Sequence, residues 1–228
     1  MKFIAIILAR GGSKSVPNKN IRVLSGLPLV AHSIILALEC NFFDQVVVSS
    51  DNDEILSIAK SFGALAIKRP IEFAEDNSTS ESAIIHALNE LSRNGKEYDA
   101  IVLLEPTSPL RTKNSVINAL QKYSNLKFTT LISVVEDYST FWRNDDKFGT
   151  PLFPNLIRRR QDREPLYREV GVIYISSVSH MLNSKSFISK RLHLHVCNPI
   201  EAIDINSEAD FIIAERLFNH LKYENNRK

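Results

Sequence analysis

The sequence predicts an α/β fold: a single domain with a mostly parallel sheet and flanking helices. Three observations predict it. Continuous apolar runs at 3–8, 46–48 and 101–104 have strand length and no polar alternation, as strands buried on both faces do. Apolar stripes at helical spacing separate these runs, so strand and helix alternate as crossover connections require. The runs end in polar turns, where open α/β sheets place their ligands. With 228 residues, 44% of them hydrophobic and 24% charged, the chain can bury one core of this kind.

The first run, 3–8, stops at Arg10. Gly11, Gly12, Ser13 and Lys14 follow, then Pro17, Lys19 and Asn20. Two glycines allow a sharp turn and a close approach of backbone N–H groups to an anion, and three cations surround them. A triphosphate needs that combination of bare donors and mobile charge. The turn lacks the second Gly of a Walker A loop and the Gly-x-Gly-x-x-Gly of a dinucleotide fingerprint, so it is a phosphate loop of another kind. Pro28 opens a helix marked by Leu29, Ile34, Ile35 and Leu38, on which His32 reads as a satisfied histidine. A strand at 46–51 and a helix through Ile55, Ile58, Ala59 and Phe62 follow, the helix ending at Gly63.

A short strand at 65–68 ends in Arg69-Pro70. The polar stretch 72–80 leads to a helix through Ala83, Ile84, Ala87, Leu88 and Leu91; taken alone it is a loop with capping residues. The strand at 101–104 runs into a loop fixed by Pro106 and Pro109, with Glu105 at its start. Val116, Ile117, Leu120 and Tyr123 mark another helix, and 129–135 a further strand. The rhythm then breaks across 136–169, which holds Phe141, Trp142, Pro151, Pro154, Pro165 and the basic run Arg158-Arg-Arg-Gln-Asp162. Such an insertion reads as a subunit contact or lid, or as a solvated basic loop. His193 and His195 share a strand face but lack a third metal ligand nearby. Asp204 and Asn206 project on one side of an extended segment. Asn206 or Ser207 alternatively caps the last helix, whose stripe is Phe211, Ala214, Phe218 and Leu221. A frayed tail is expected from 224 to 228.

These motifs carry a resemblance. Leu8-Ala-Arg-Gly-Gly-Ser-Lys-x-x-Pro-x-Lys-Asn20 is similar to the signature of the acylneuraminate cytidylyltransferase family, the CMP-sialic acid synthetases and their relatives. So are Arg69-Pro70, Leu104-Glu-Pro-Thr-Ser-Pro-Leu-Arg111, Tyr167-Arg-Glu-Val-Gly-Val-Ile-Tyr174 and Asp204-Ile-Asn206, in register over nearly the whole chain. Three positions depart from the pattern: Glu105 for Gln, Val170 for Asn and Asn206 for Asp.

The resemblance implies a Rossmann-like nucleotidyltransferase fold, with 136–169 as a dimerisation or lid subdomain and a homodimer. It implies CMP transfer from CTP to the anomeric hydroxyl of an acidic nine-carbon 2-keto sugar (of sialic, legionaminic or pseudaminic type), with pyrophosphate released. Arg10 and Lys19 would hold the phosphates, assisted by Lys14 and the loop donors Gly11, Gly12 and Ser13. Asn20 and Ser80 would read the base, with Arg69 at the nucleotide. Glu105, Arg160, Arg168 and Tyr174 would face the sugar, and Asp204 with Asn206 would hold Mg2+. Arg10, Lys19 and Asp204 are the expected catalytic groups. Because Glu105 and Val170 fall at sugar positions, an acidic sugar other than plain N-acetylneuraminate is expected. A synthetase for the shorter eight-carbon keto acid, a nucleotidyltransferase using another base, and a silent nucleotide-binding or regulatory homologue stay open beside it.

The net charge of +2 argues for neither nucleic acid nor an anionic membrane as partner. No stretch is long enough to span a bilayer, and the run before Arg10 lacks the cleavage site of a signal peptide. Cys40 and Cys197 are far apart in sequence and read as reduced thiols, which suits a cytoplasmic protein.

Overall fold

The computed structural model describes residues 1–125, 129–153 and 159–225. Pro154, Arg158 and the last three residues of the tail, all read above from sequence, lie outside them. In chain order the elements are β1 (Phe3–Leu8), β2 (Val23–Leu24), β3 (Leu27–Pro28), α1 (Leu29–Cys40), β4 (Gln45–Ser50) and α2 (Asp53–Ser61). Next come β5 (Leu65–Lys68), α3 (Ser80–Arg93), β6 (Ala100–Leu103), α4 (Lys113–Asn125) and β7 (Thr130–Asp137). The chain closes with β8 (Trp142–Asn144), β9 (Gly149–Pro151), β10 (Leu166–Ser177), α5 (Val178–Ser184), β11 (Leu192–Val196) and α6 (Glu208–Asn225).

Seven strands form one sheet in the order β11-β7-β10-β6-β1-β4-β5. Only β10 runs antiparallel to its neighbours; the other pairs are parallel. The apolar run of β1 shows why such strands carry no alternation. Phe3, Ala5 and Ile7 pack into one core with Val30, Ile34, Val116 and Leu120, while Ile4 and Ile6 pack into a second with Ile84, Leu88 and Met181. Both faces are thus covered by helices, and each fully buried Ile or Leu contributes about 1.5–3 kcal/mol. Asn52 caps α2 by accepting from the Glu54 and Ile55 N–H groups at 2.9 and 3.1 Å, and Thr79 caps α3 by accepting from Ser82 N at 3.1 Å.

A third, smaller core of Val16, Leu24, Leu29, Ile205, Phe211 and Ala214 fastens α6 and the segment before it against the glycine turn. That packing brings the two distant ends of the sequence to one place. Ser207 caps α6, its Oγ accepting from Asp210 N at 3.3 Å, which selects Ser207 from the two capping candidates read in the sequence.

Among the described residues of 136–169, strand pairing is more regular than the prolines suggest. The later part of β7 pairs with the first residues of β10, from Leu166↔Asp137 to Glu169↔Val134. Tyr174 is opposite Leu103 at the end of β6, so the start of β10 extends past the carboxyl edge of the parallel strands. The β8–β9 hairpin lies between these strands in the chain. Phe141, Trp142, Phe148, Leu152, Phe153, Leu166 and Tyr167 are all exposed along this arm.

Candidate functional site

A cleft opens at the carboxyl edge of β1, β5 and β6. It is lined by Arg10, Lys19, Asn20, Arg69, Ser80, Glu105, Asp204 and Asn206, together with Asp76 and Thr107, which sequence reasoning did not single out. The fold therefore gathers residues separated by up to almost the whole chain length. Gly11, Gly12, Ser13 and Lys14 belong to the turn after β1, beside Arg10.

One wall is cationic. Arg69 is buried, donating to the carbonyls of Phe73 at 3.2 Å and Ser49 at 3.4 Å, while its Nε is buried without a partner. Burial lowers its pKa. Asn20 is also buried and its Nδ2 donates to the Arg10 carbonyl at 2.9 Å, so it shapes the turn from behind. The two glycines do not take left-handed backbone angles. Gly11 is required by close approach instead: a Cβ there would lie 2.9 Å from Asn52 Cβ. The Gly11 N–H donates to Asp51 at 2.9 Å and is already engaged.

Asp76 spans this wall. Its carboxylate accepts from Arg10 at 3.0 Å and pairs with Lys14, which together hold its pKa below the usual carboxylate range. The two cations expected to meet an anion are thus occupied by a side chain of the α3 approach loop. Ser80 is exposed as the first residue of α3.

The opposite wall is acidic. The Ile205 N–H donates to Thr107 O at 2.9 Å, setting Asp204 beside the loop that starts at Glu105. Buried Glu201 braces the same segment, accepting from Thr112 N at 2.8 Å and from Asn198 N at 3.1 Å. Lys19 links the walls: its Nζ donates to Ile205 O at 2.8 Å. Burial lowers the Lys19 pKa, opposed by Asp204 and Glu105. Asn206 is exposed, and its Nδ2 donates to Asp204 Oδ2 at 2.6 Å. Asp204 Oδ1 is buried and accepts no hydrogen bond.

Glu105 is partly buried at the cleft floor. Its pKa is raised to about 7, first by burial and then by Asp204, against the pull of Arg111 and Lys19. Gly171 makes room for it, since a Cβ there would lie 2.6 Å from Glu105 Oε2. Arg111 supports this corner. It is buried and donates to Val172 O, to Glu105 O at 2.8 Å, to Ser33 Oγ at 3.2 Å and to Gly171 O at 3.4 Å. The sequence offered Arg111 only as the end of a motif; its structural role depends on a bulge in β10 that no local pattern announces.

The raised Glu105 pKa has a stability consequence. With a folded value of about 7 against an ordinary 4.5, the folded chain binds this proton more readily than the unfolded chain. The group favours folding below pH 4.5, and the benefit is lost as pH rises through about 7. Glu105→Gln, measured in chelator, is expected to gain stability relative to wild type between pH 5 and pH 8 by on the order of 2–3 kcal/mol. Parallel urea curves at the two pH values check this, and an equal gap at both would contradict it.

The remaining expected sugar residues are placed differently. Tyr174 adjoins the acidic wall, its hydroxyl donating to Glu169 at 3.0 Å, and burial with Glu105 and Glu169 raises its pKa. Arg160 and Arg168 are not among the cleft-lining residues. Arg168 Nε sits 3.6 Å from Asp137, and the Arg160 guanidinium lies 5.1 Å from the Tyr138 ring centroid, both on the arm. Val170, expected at the sugar face, is buried instead with Val135, Val172 and Cys197. The register shift between Glu169 and Tyr174, held by Ser133 donating to Val170 O at 2.6 Å and accepting from Ile173 N at 2.9 Å, breaks simple strand alternation there. His195 contacts Ser115 at 3.4 Å within the core, and no three His, Cys, Asp or Glu side chains cluster as a metal site among the described residues. Among these residues no helix is long and apolar enough to cross a membrane.

Comparison with known proteins bears on this geometry. A family model described as Cytidylyltransferase matches residues 4–193. The chain is 32% identical over 226 residues to a CMP-N,N'-diacetyllegionaminic acid synthase of Legionella pneumophila, covering 95% of this chain and 96% of that one. It is 34% identical over 218 residues to an N-acylneuraminate cytidylyltransferase of Escherichia coli, covering 93% of this chain but about half, 51%, of that longer protein. Among solved structures, a CMP:2-keto-3-deoxy-manno-octonic acid synthetase complexed with CTP superposes with a TM-score of 0.72 at 17% identity, covering 96% of this chain and 99% of the other. A 4-diphosphocytidyl-2C-methyl-D-erythritol synthase gives 0.73 at 14% identity, covering 95% and 98%. Identities this low speak for the fold alone.

Proposed function

The chain belongs to the cytidylyltransferase family, and from that premise we propose that it transfers CMP from CTP to the anomeric hydroxyl of an acidic nine-carbon 2-keto sugar, releasing pyrophosphate. The observation that carries the reading is a cationic wall, Arg10 with Arg69, facing an acidic wall, Glu105 with Asp204, across one cleft bridged by Lys19. The near full-length similarity to a legionaminic acid synthase supports a nonulosonate as acceptor. Glu105 supports one other than plain N-acetylneuraminate.

The hydroxyl oxygen attacks the α-phosphorus in line, its proton passes to solvent, and the bond to the bridging oxygen of pyrophosphate breaks. Such transfers need little covalent work from protein; positioning and charge neutralisation set the rate. Arg10 and Lys19 hold the phosphates once Asp76 yields, with Lys14 assisting. The Gly12 N–H and the Ser13 hydroxyl offer loop donors beside Gly11, since the Ser13 N–H already donates to Gly11 O at 3.1 Å. Asn20 and Ser80 border the base, and Arg69 holds the nucleotide side. The acidic wall fits a magnesium ion, because Asp204 Oδ1 is a buried acceptor without a donor and magnesium favours one or two carboxylates beside phosphate oxygens. Bound at Asp204, it would neutralise phosphate charge and polarise the attacking hydroxyl.

The exposed aromatic and aliphatic side chains of the arm support a homodimer formed through it. Arg160 and Arg168 lie on that arm, away from the cleft of their own chain. Two free buried cysteines suit the cytoplasm.

Asp76 should compete with substrate. Asp76→Asn is expected to lower the KM for CTP by roughly two- to fivefold, since exposed ion pairs are individually weak, with little change in kcat. An unchanged or raised KM would remove Asp76 as a competitor. The proposed activity itself is tested by pyrophosphate release from CTP, ATP, GTP and UTP against eight- and nine-carbon keto acids. Release requiring CTP and a nine-carbon acid is expected. Preference for the eight-carbon acid would reassign the acceptor, and no release with any pair would leave a nucleotide-binding protein.

A further inference from the structure

We propose that Glu105 is the second carboxylate of the metal site, so that a divalent cation is held between Glu105 and Asp204 and Asn206 is not a ligand. The proposal rests on the cytidylyltransferase reading above, and goes beyond it in assigning a ligand from the loop after β6.

Four observations carry it. First, Glu105 and Asp204 line the same cleft, and the Ile205 N–H to Thr107 O bond of 2.9 Å ties their two segments together. Second, Asp204 Oδ1 is buried and accepts no hydrogen bond, a costly state for a carboxylate oxygen that has no cation. Third, Glu105 is only partly buried, so its carboxylate is reached from the cleft. Arg111 donates to the Glu105 backbone oxygen at 2.8 Å, and no described residue donates to its carboxylate. Fourth, the Asn206 amide is committed elsewhere, with its Nδ2 donating to Asp204 Oδ2 at 2.6 Å. Asn206 therefore orients Asp204 by presenting a neutral donor, and it brings no charge to the site.

Charge counting favours the same answer. Lys19 is the ammonium that both carboxylates act upon, and it already donates to Ile205 O at 2.8 Å. Arg111 acts on Glu105 as well, so two cations face the two carboxylates while Lys19 stays in place. Once Lys19 turns to a phosphate, one negative charge is left over. A divalent cation bridging Glu105 and Asp204 removes it. The sequence departures then read as a pair: Asn206 takes a negative charge away from the segment after β11, and Glu105 returns one from the loop after β6. Gly171 fits the scheme, because any Cβ there would collide with Glu105 Oε2 at 2.6 Å and push the carboxylate from its position.

The test is manganese binding to the nucleotide-free chain, read as loss of the free-ion electron paramagnetic resonance signal. Wild type is compared with Glu105→Gln, Asn206→Asp and the double variant, each checked for folding by circular dichroism and for metal-free CTP binding. Glu105→Gln is expected to weaken manganese roughly tenfold or more, because affinity at such oxygen sites follows ligand charge. Adding Asn206→Asp to Glu105→Gln is expected to recover most of that loss by restoring the carboxylate count. Unchanged manganese affinity in Glu105→Gln would overturn the proposal. So would an equal loss of manganese and metal-free CTP binding, which marks general damage to the cleft. Pyrophosphate release is scored separately. Release with unchanged manganese affinity sinks this inference alone, and manganese loss without release sinks only the transferase reading.

Discussion

Replacing Lys19 with methionine is expected to lower kcat/KM for CTP-dependent pyrophosphate release by about 100- to 1,000-fold, the usual cost of losing one preorganised group that stabilises transition-state charge. The residue is placed to matter in both halves of the cleft. It leaves the glycine turn, donates to Ile205 O at 2.8 Å and feels both Asp204 and Glu105. Burial lowers its pKa, so the folded chain holds the ammonium where solvent screens it less than at the surface. Methionine keeps the unbranched stem, so loss of packing is a minor contributor. The discriminating readout is how the loss divides. A phosphate contact realised mainly in the transition state lowers kcat, whereas a ground-state contact raises the KM for CTP. Activity within fivefold of wild type, with the fold intact, would remove Lys19 from the machinery.

Arg111→Met is expected to cost about 3–5 kcal/mol of stability, as breaking a buried charge network does. Arg111 is 4% exposed, and burial pushes its pKa down to about 10 against the attraction of Glu105 and Glu201. Its guanidinium supplies donors to the carbonyls of Glu105, Val172 and Gly171 and to Ser33 Oγ. Without it the Val172 and Gly171 carbonyls lose a buried donor, while Glu105 O keeps Ser108 N at 3.3 Å and Ser33 Oγ at 3.5 Å. The β10 bulge should loosen, and Glu105 should lose the frame that fixes its backbone. Urea denaturation at pH 7 checks the magnitude. A variant within 1 kcal/mol of wild type would show that the bulge is held by Ser133 alone.

The sheet was legible because its parallel strands advertise themselves. Residues 3–8, 46–48 and 101–104 are apolar on both faces for the reason seen in β1, whose odd and even residues enter different cores. The turn after β1 reads as an anion site because glycines and cations occur together there, and the structure places its Arg10 and Lys19 on the cleft. Other features depend on contacts distant in sequence. The antiparallel placement of β10 follows from pairing with β6 and β7, and its bulge turns Val170 into the core. Asp76 lies in a polar loop that looks like a helix cap until Arg10 and Lys14 are seen on it. Gly11 was read as a turn residue, yet its role is to let the chain pass Asn52. The arm appeared irregular because prolines and basic residues masked the strand pairing between Leu166 and Asp137.

The position of bound CTP tests the account most directly. In a crystal of the chain soaked with CTP and magnesium, the triphosphate should lie against the turn from Arg10 to Lys19, with Asp76 released from Arg10 and the α-phosphorus facing the wall of Glu105 and Asp204. A nucleotide bound away from that turn, or one that leaves the Asp76 pairs in place, would contradict it.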